Sequence, residues 1–251
     1  MSLPWNDEPI FCMTADVDWA SEEAIARCHA LFSERDITTT YFNTHPSPFL
    51  NGLRADGRIH MGIHPNFLAG SSQGEGFDTV LDYLAEAVPD VECFRSHRYF
   101  DVTDINVKLA DRGCRYDSNL FTFLHKLPPH THFTGMTRFP CCWEDGTWLR
   151  NVGSVDLADV TSFLFSPGLT ILSVHPMHMA LNSPTLGYAR EVKDRVSREA
   201  WNAMDVHTLD TLAHGGRGIR DLTADMLDAI LARGHTFYTL DELNSIYASQ
   251  T

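Results

Sequence analysis

No run of apolar residues in this 251-residue chain approaches the roughly 20 needed to cross a bilayer as a helix. The opening Met-Ser-Leu-Pro-Trp-Asn-Asp-Glu lacks the positive segment and apolar core of a secretory leader. No Cys-x-x-Cys pair occurs among the six cysteines, Cys12, Cys28, Cys93, Cys114, Cys141 and Cys142. Free thiols in a reducing compartment, and therefore a cytoplasmic protein, are the expectation. Positive charge is also scarce. Against 33 Asp and Glu there are 19 Lys and Arg, a formal net charge of −14. Nucleic-acid binders need cations to neutralise phosphates, and anionic membranes attract basic segments, so neither nucleic acid nor membrane is an expected partner. Nucleotide cradles of the Gly-x-Gly-x-x-Gly or Gly-x-x-x-x-Gly-Lys-Ser/Thr type are missing. So is the Gly-x-Ser-x-Gly elbow of a serine hydrolase. The glycine-rich His214-Gly215-Gly216-Arg217-Gly218 follows no strand pattern and reads as a loop.

What remains is an ordinary globular composition, 43% hydrophobic and 21% charged, without repeats, low-complexity tracts or an evident linker. Pro9 to Val17 is a mostly apolar run suited to a strand buried on both faces. Ser21 is placed as an N-cap, with Glu22 and Glu23 in the first helical turn and Ile25, Cys28, Leu31 and Phe32 at helical spacing. Ile37 to Asn43, rich in β-branched and aromatic residues, reads as the next strand. The alternation continues. Strands are expected at 58–64, 91–95, 114–117, 169–175 and 235–239, and helices at 77–87, 105–112 and 223–233. That pattern predicts an α/β fold with one domain over 1–251, its parallel sheet open or closed into a barrel. In such folds chemistry gathers at the C-terminal ends of the strands.

The polar residues sit at those ends. The first strand finishes Asp16-Val17-Asp18. Residues two apart on a strand face the same way, about 6–7 Å apart. That spacing suits one carboxylate that binds a metal and one that handles a proton. The third strand ends Gly62-Ile63-His64-Pro65-Asn66, where neutral imidazole would suit Zn²⁺ and similar ions. His60 lies four residues earlier, roughly 13 Å along a strand, too far to share an ion with His64, and takes a structural or supporting role. Phe94-Arg95-Ser96-His97-Arg98 offers an Arg to pair with a carboxylate and a second candidate ligand in His97. Leu169 to His175 leads into His175-Pro176-Met177-His178. With 13 histidines in the chain, any one of them is unremarkable. The informative feature is that Asp, Asp, His, Arg, His and His end four strands on the same side. The segments 121–148, with His125, His130, His132 and Trp143-Glu144-Asp145, and 182–218, with Trp201 and His207, have no assigned role beyond lids or substrate walls.

These pieces together resemble the polysaccharide deacetylase superfamily (NodB-homology, carbohydrate esterase 4-like), in a divergent Asp-x-Asp branch. Thr14-Ala15-Asp16-Val17-Asp18 is similar to its first motif, and Thr38-Thr39-Thr40-Tyr41-Phe42 to the strand that follows. Gly62-Ile63-His64 resembles the second motif and Phe94-Arg95-Ser96-His97-Arg98 the third. Gly113-Cys114-Arg115-Tyr116-Asp117-Ser118, Leu172-Ser173-Val174-His175 and Phe237-Tyr238-Thr239-Leu240 match later strands in the family's order.

The resemblance implies a distorted (β/α) barrel of about seven parallel strands and one divalent ion, zinc foremost with cobalt or nickel as alternatives. It implies Asp18 and His64 as metal ligands, Asp16 as general base, His175 as general acid and Arg95 as the partner that holds Asp16 charged. The family's second metal His lies four residues after the first, where this chain has Leu68. His97 is the preferred replacement ligand, with Asn66 and His178 as alternatives and a metal-free site as a further one. The implied reaction is hydrolysis of an N-acyl group, acetyl foremost, on an amino sugar or glycan precursor. The alternatives are hydrolysis of non-sugar amides such as cyclic ureides, and a non-catalytic carbohydrate-binding relative.

Overall fold

A computed structural model describes residues 3–250. The two ends of the single domain read over 1–251, including the first two residues of the opening segment, lie outside the described residues. Ten strands join in one sheet: β1 (Pro9–Asp16), β2 (Thr40–Asn43), β3 (His60–Ile63), β4 (Cys93–Phe94), β5 (Tyr116–Asp117), β6 (His130–Thr131), β7 (Thr137–Arg138), β8 (Trp143–Glu144), β9 (Gly168–Val174) and β10 (Phe237–Tyr238). Their order is β6-β7-β5-β4-β3-β2-β1-β9-β8, with β10 paired to β1. Every pairing is parallel except β6 with β7. A parallel bridge between Phe121 and Cys141 ties the chain beyond β5 to the approach of β8, and so links the two ends of a curled sheet. The distorted barrel expected from the resemblance is the observed architecture. None of the described helices is long and apolar enough to cross a membrane.

Alternation along β1 and β9 explains how the barrel is filled. On β1, Phe11, Met13 and Ala15 face the outer helices, while Ile10 and Cys12 enter a separate inner cluster with Phe42, Cys93, Phe139, Leu169 and Ile171. On β9, Leu172 and Val174 face outward, while Leu169 and Ile171 point in. Continuing the same period of two, the inward positions nearer the C-terminal ends are Thr14 and Asp16 on β1 and Ser173 on β9. The bottom of the barrel is therefore apolar and the top polar. Thiols serve here as small apolar fillers: all six cysteines are free and buried.

Local signals place the elements. Ser21 caps the helix Glu22–Ser33 by accepting a hydrogen bond from the Ala24 amide at 3.3 Å. Gly62 in β3 lies so close to its neighbours that a β-carbon there would meet Cys93 Sγ at 2.6 Å and Phe42 Cδ1 at 2.9 Å. Only glycine lets β3 nest between β2 and β4 two residues before His64. The strand bounds are shorter than the apolar runs suggested, and β1 stops at Asp16. The segment 121–148, read as a lid or wall, supplies β6, β7 and β8 and also brings Phe121, Glu144 and Thr147 to the wall of a cleft. The segment 182–218 forms the short helices Leu186–Asp194, Arg198–Asn202 and Val206–Leu212.

Candidate functional site

Arg95, immediately after β4, is wholly buried in the polar upper barrel. Each of its three guanidinium nitrogens donates a hydrogen bond. Nη1 donates to Asp16 Oδ1 at 2.8 Å, Thr14 Oγ1 at 2.9 Å and Ser173 Oγ at 2.8 Å, Nε donates to the Ser118 carbonyl at 3.0 Å, and Nη2 donates to Ser118 Oγ at 2.7 Å. The ring of Phe42 lies 4.5 Å below it. Burial works against this charge, but the Asp16 carboxylate outweighs it and holds the guanidinium firmly protonated. Asp16, 3% exposed, thus has one oxygen fixed by Arg95. Its Oδ2 accepts no hydrogen bond from the described residues, and the residue lines the cleft above.

Asp18 is not on the strand, and here the sequence expectation is corrected. The β-run ends at Asp16, and Asp18 and Trp19 both take left-handed backbone, φ 45° and 56°. The turn, not the pleat, aims the second carboxylate. The Trp19 amide is held by Thr44 Oγ1 at 3.1 Å, and the indole ring meets His97 edge-on at 5.5 Å. Left-handed backbone at two successive non-glycine residues is uncommon and is retained where surrounding contacts over-determine it.

Asp18 gathers three imidazoles. His64 Nε2 lies 3.1 Å and His97 Nδ1 2.9 Å from Asp18 Oδ1, and His175 Nε2 lies 3.7 Å from Oδ2. Burial alone would raise the Asp18 pKa, but the hydrogen bonds from His64 and His97 hold it well below the usual carboxylate range. His64, just past β3, is 2% exposed. His97 opens a short 3-10 turn, His97–Tyr99, and its amide donates to the Pro65 carbonyl at 2.9 Å. The turn after β4 is thereby tied to the turn after β3. Of the alternatives to Leu68, only His97 is brought to Asp18. The Asn66 side-chain oxygen accepts from the Leu68 amide at 3.1 Å, and His178 sits one helical turn beyond His175, its ring 5.8 Å from the ring of that residue. His60 is elsewhere, 3.1 Å from the Tyr116 hydroxyl.

One residue that sequence reasoning missed completes the other wall. Asp145, wholly buried, takes the His175 amide at 2.7 Å on one oxygen and His175 Nδ1 at 2.6 Å on the other. This fixes the ring with Nε2 toward Asp18. Burial would depress the charge on His175, but Asp145 more than offsets it and raises the imidazole well above its ordinary value. Burial likewise raises the carboxyl of neighbouring Glu144, whose Oε1 accepts from the Thr147 hydroxyl at 3.1 Å. The only sequence signal for Asp145 was its place after the apolar Cys141-Cys142-Trp143 run.

The donor set suits a divalent ion. The ligand atoms of Asp18, His64 and His97 all lie within 4.8 Å of one another. Two nitrogens and one oxygen converging from separate loops match the borderline-soft N/O chemistry that zinc, cobalt and nickel favour. Glu144, Asp145 and His175 form a second group of this kind, but in it Nδ1 of His175 is already bonded to Asp145. The cleft above measures about 620 Å³, and the stacked rings of Tyr99 and Phe121, 5.1 Å apart, together with Trp201 form part of its lining.

Comparisons with known proteins show the family to which the chain is similar. A family model described as WbmS-like polysaccharide deacetylase matches residues 13–193. A solved structure from Bordetella bronchiseptica, a candidate polysaccharide deacetylase assigned to O-antigen biosynthesis, is 26% identical, with a TM-score of 0.76 over 87% of this chain and 90% of that one. A CE4 family pseudoenzyme from Bacillus anthracis is 16% identical, with a TM-score of 0.49 over 96% of this chain and 67% of that one. A candidate polysaccharide deacetylase from Mycobacterium smegmatis is likewise 16% identical, with a TM-score of 0.49 over 95% and 96%. A search of curated proteins found no match.

Proposed function

Because the chain belongs to the WbmS-like polysaccharide deacetylase family, we propose that it is a metal-dependent hydrolase that removes an N-acyl group, acetyl foremost, from an amino sugar or glycan precursor. The observation that carries this reading is the convergence of His64 and His97 on one oxygen of Asp18, beside a buried Asp16–Arg95 pair and an Asp145-oriented His175. The assignment of the Bordetella relative to O-antigen biosynthesis favours a glycan precursor as substrate. The six buried free thiols suit work in a reducing compartment.

Asp18, His64 and His97 would hold the ion, zinc foremost. When bound, such an ion supplies Lewis acidity at the acyl carbonyl and at the attacking water. Asp16 takes a proton from that water through Oδ2 while Arg95 keeps the carboxylate in place. His175, fixed through Nδ1, presents Nε2 to the departing nitrogen and protonates it, since an unprotonated amide nitrogen is a very poor leaving group. The two proton-transfer groups stand at different strand ends, Asp16 on β1 and His175 just past β9.

Acetate release from N-acetylated hexosamines and their oligomers, by chelator-treated protein before and after reloading with Zn²⁺, Co²⁺ or Ni²⁺, tests the reading. Release restored by metal is expected. Metal-restored hydrolysis of cyclic ureides alone would move the substrate class to non-sugar amides. Sugar binding without release under every metal would instead make the chain a non-catalytic relative.

A further inference from the structure

An acidic chain, with 33 Asp and Glu against 19 Lys and Arg, has placed four of its cations around one opening. Arg98, Arg150, Arg190 and Lys193 all line the cleft above the Asp18 cluster, and all four are exposed. Among the described residues none of the four is paired with a carboxylate. Several cations elsewhere on the surface are neutralised: Arg27, Arg35, Lys108 and Arg112 each hold an Asp carboxylate at 2.6–2.8 Å.

The placement follows helical geometry. On the helix Leu186–Asp194, the residues that line the cleft are Leu186, Ala189, Arg190 and Lys193, a single face at spacings of three and four. Glu191 and Asp194 of the same helix are outside that lining, and Glu191 pairs with Arg195 at 3.7 Å. Charge on this helix is thus sorted by sign, with cations toward the cleft. Arg150 reaches the cleft from the helix Asp145–Asn151, which begins at the residue that orients His175. Arg98 directly follows His97, and Lys193 lies 5.5 Å from the ring of Trp201.

The acids of the cleft are not paired with these four cations and have other partners. Asp16 is bonded to Arg95, Asp18 to His64 and His97, and Glu144 to Thr147. A chain of net charge −14 repels anions at a distance, so four uncompensated cations at one mouth are an arrangement for an anionic ligand. A single carboxylate carries one negative charge and would leave most of this positive charge unmatched. Four cations, three of them planar guanidinium forks, match the charge and acceptor count of a phosphate or diphosphate.

We infer that the substrate is a phosphorylated acylamino sugar, a sugar phosphate or a diphosphate-linked sugar, whose phosphate is held by Arg98, Arg150, Arg190 and Lys193 while its acyl group meets the Asp18 cluster. This rests on the deacylase reading of the same site.

The test is calorimetric binding of four probes: N-acetylglucosamine, its 1-phosphate, its uridine diphosphate conjugate and N-acetylglucosaminuronic acid. Each is titrated into the wild type, an Arg190→Ala/Lys193→Ala double variant and an Arg195→Ala control at the C-terminal cap of the same helix, outside the cleft lining. The two phosphorylated probes are expected to bind at least about tenfold more tightly than the neutral sugar and to lose about that factor in the double variant alone. Their affinity should also fall between about 50 and about 300 mM salt as screening shortens the reach of exposed charge. Equal binding of all four probes, absence of any phosphate-dependent binding, or a gain confined to the uronic acid would overturn the inference. Acetate release by the same proteins separates the two levels. Phosphate-dependent binding without release keeps the phosphate site and refutes the deacylase. Release from neutral and phosphorylated sugars alike, unchanged in the double variant, keeps the deacylase and refutes the phosphate site.

Discussion

Asp16→Asn is expected to retain the metal ion and to lose about 10²–10⁴ of turnover, the usual worth of a positioned general base. The substitution preserves shape and the oxygen that accepts from Arg95 Nη1, now at 2.8 Å, but removes the ability to take a proton. Asp16 is not among the Asp18, His64 and His97 donors, so metal content and turnover should separate. Arg95 would lose its counter-charge in a buried setting. Breaking such a pair commonly costs about 3–5 kcal/mol, softened here by the bonds to Thr14, Ser118 and Ser173. The melting temperature should therefore fall, and turnover is to be measured well below it, with metal content determined on the same sample. Turnover comparable to the wild type in metal-loaded Asp16→Asn would remove Asp16 from the chemistry.

Asp145→Asn carries the second large effect. With Nδ1 of His175 held at 2.6 Å, the carboxylate fixes the ring and favours its protonated form, against burial, so that the imidazole sits well above its ordinary value. A general acid works only while protonated, and its activity is lost as pH rises through its pKa. Without the carboxylate that pKa falls, and the loss on the alkaline side must begin at lower pH. Turnover near neutrality is expected to drop by about 10²–10⁴, with the alkaline limb of the kcat profile displaced to lower pH, while His175→Gln removes that limb. An alkaline limb unmoved in Asp145→Asn would mean that His175 is not the acid.

The sequence made the long elements of the fold legible and left the short ones hidden, for a physical reason. β1 and β9 run eight and seven residues and are buried on both faces, so each leaves a continuous apolar run. β4 to β8 have two residues each, too few to show a period of two. The Gly-x-x-Tyr-Asp-Ser resemblance found β5, but nothing marked β6 to β8. With β8 went Asp145, a buried acid whose role depends on β8 lying beside β9 and hence on His175. At the site, the candidate residues at the ends of β1, β3, β4 and β9 do meet, because parallel strands of one sheet deliver their ends to one side. The route of Asp18 was misread: its spacing from Asp16 fits a strand, while the observed turn depends on left-handed backbone at Asp18 and Trp19, which residue type alone does not specify. The basic rim was hidden as well, since Arg98, Arg150, Arg190 and Lys193 are dispersed in sequence and overwhelmed by the acidic total.

The most direct measurement is elemental analysis of the purified protein beside a His97→Ala variant, each after dialysis against Zn²⁺ and removal of excess ion. About one ion per wild-type chain, lost in the variant while its melting curve shows a folded protein, is the result predicted from the meeting of Asp18, His64 and His97. Full occupancy in His97→Ala, or a folded wild type that retains no Zn²⁺, Co²⁺ or Ni²⁺, would contradict it.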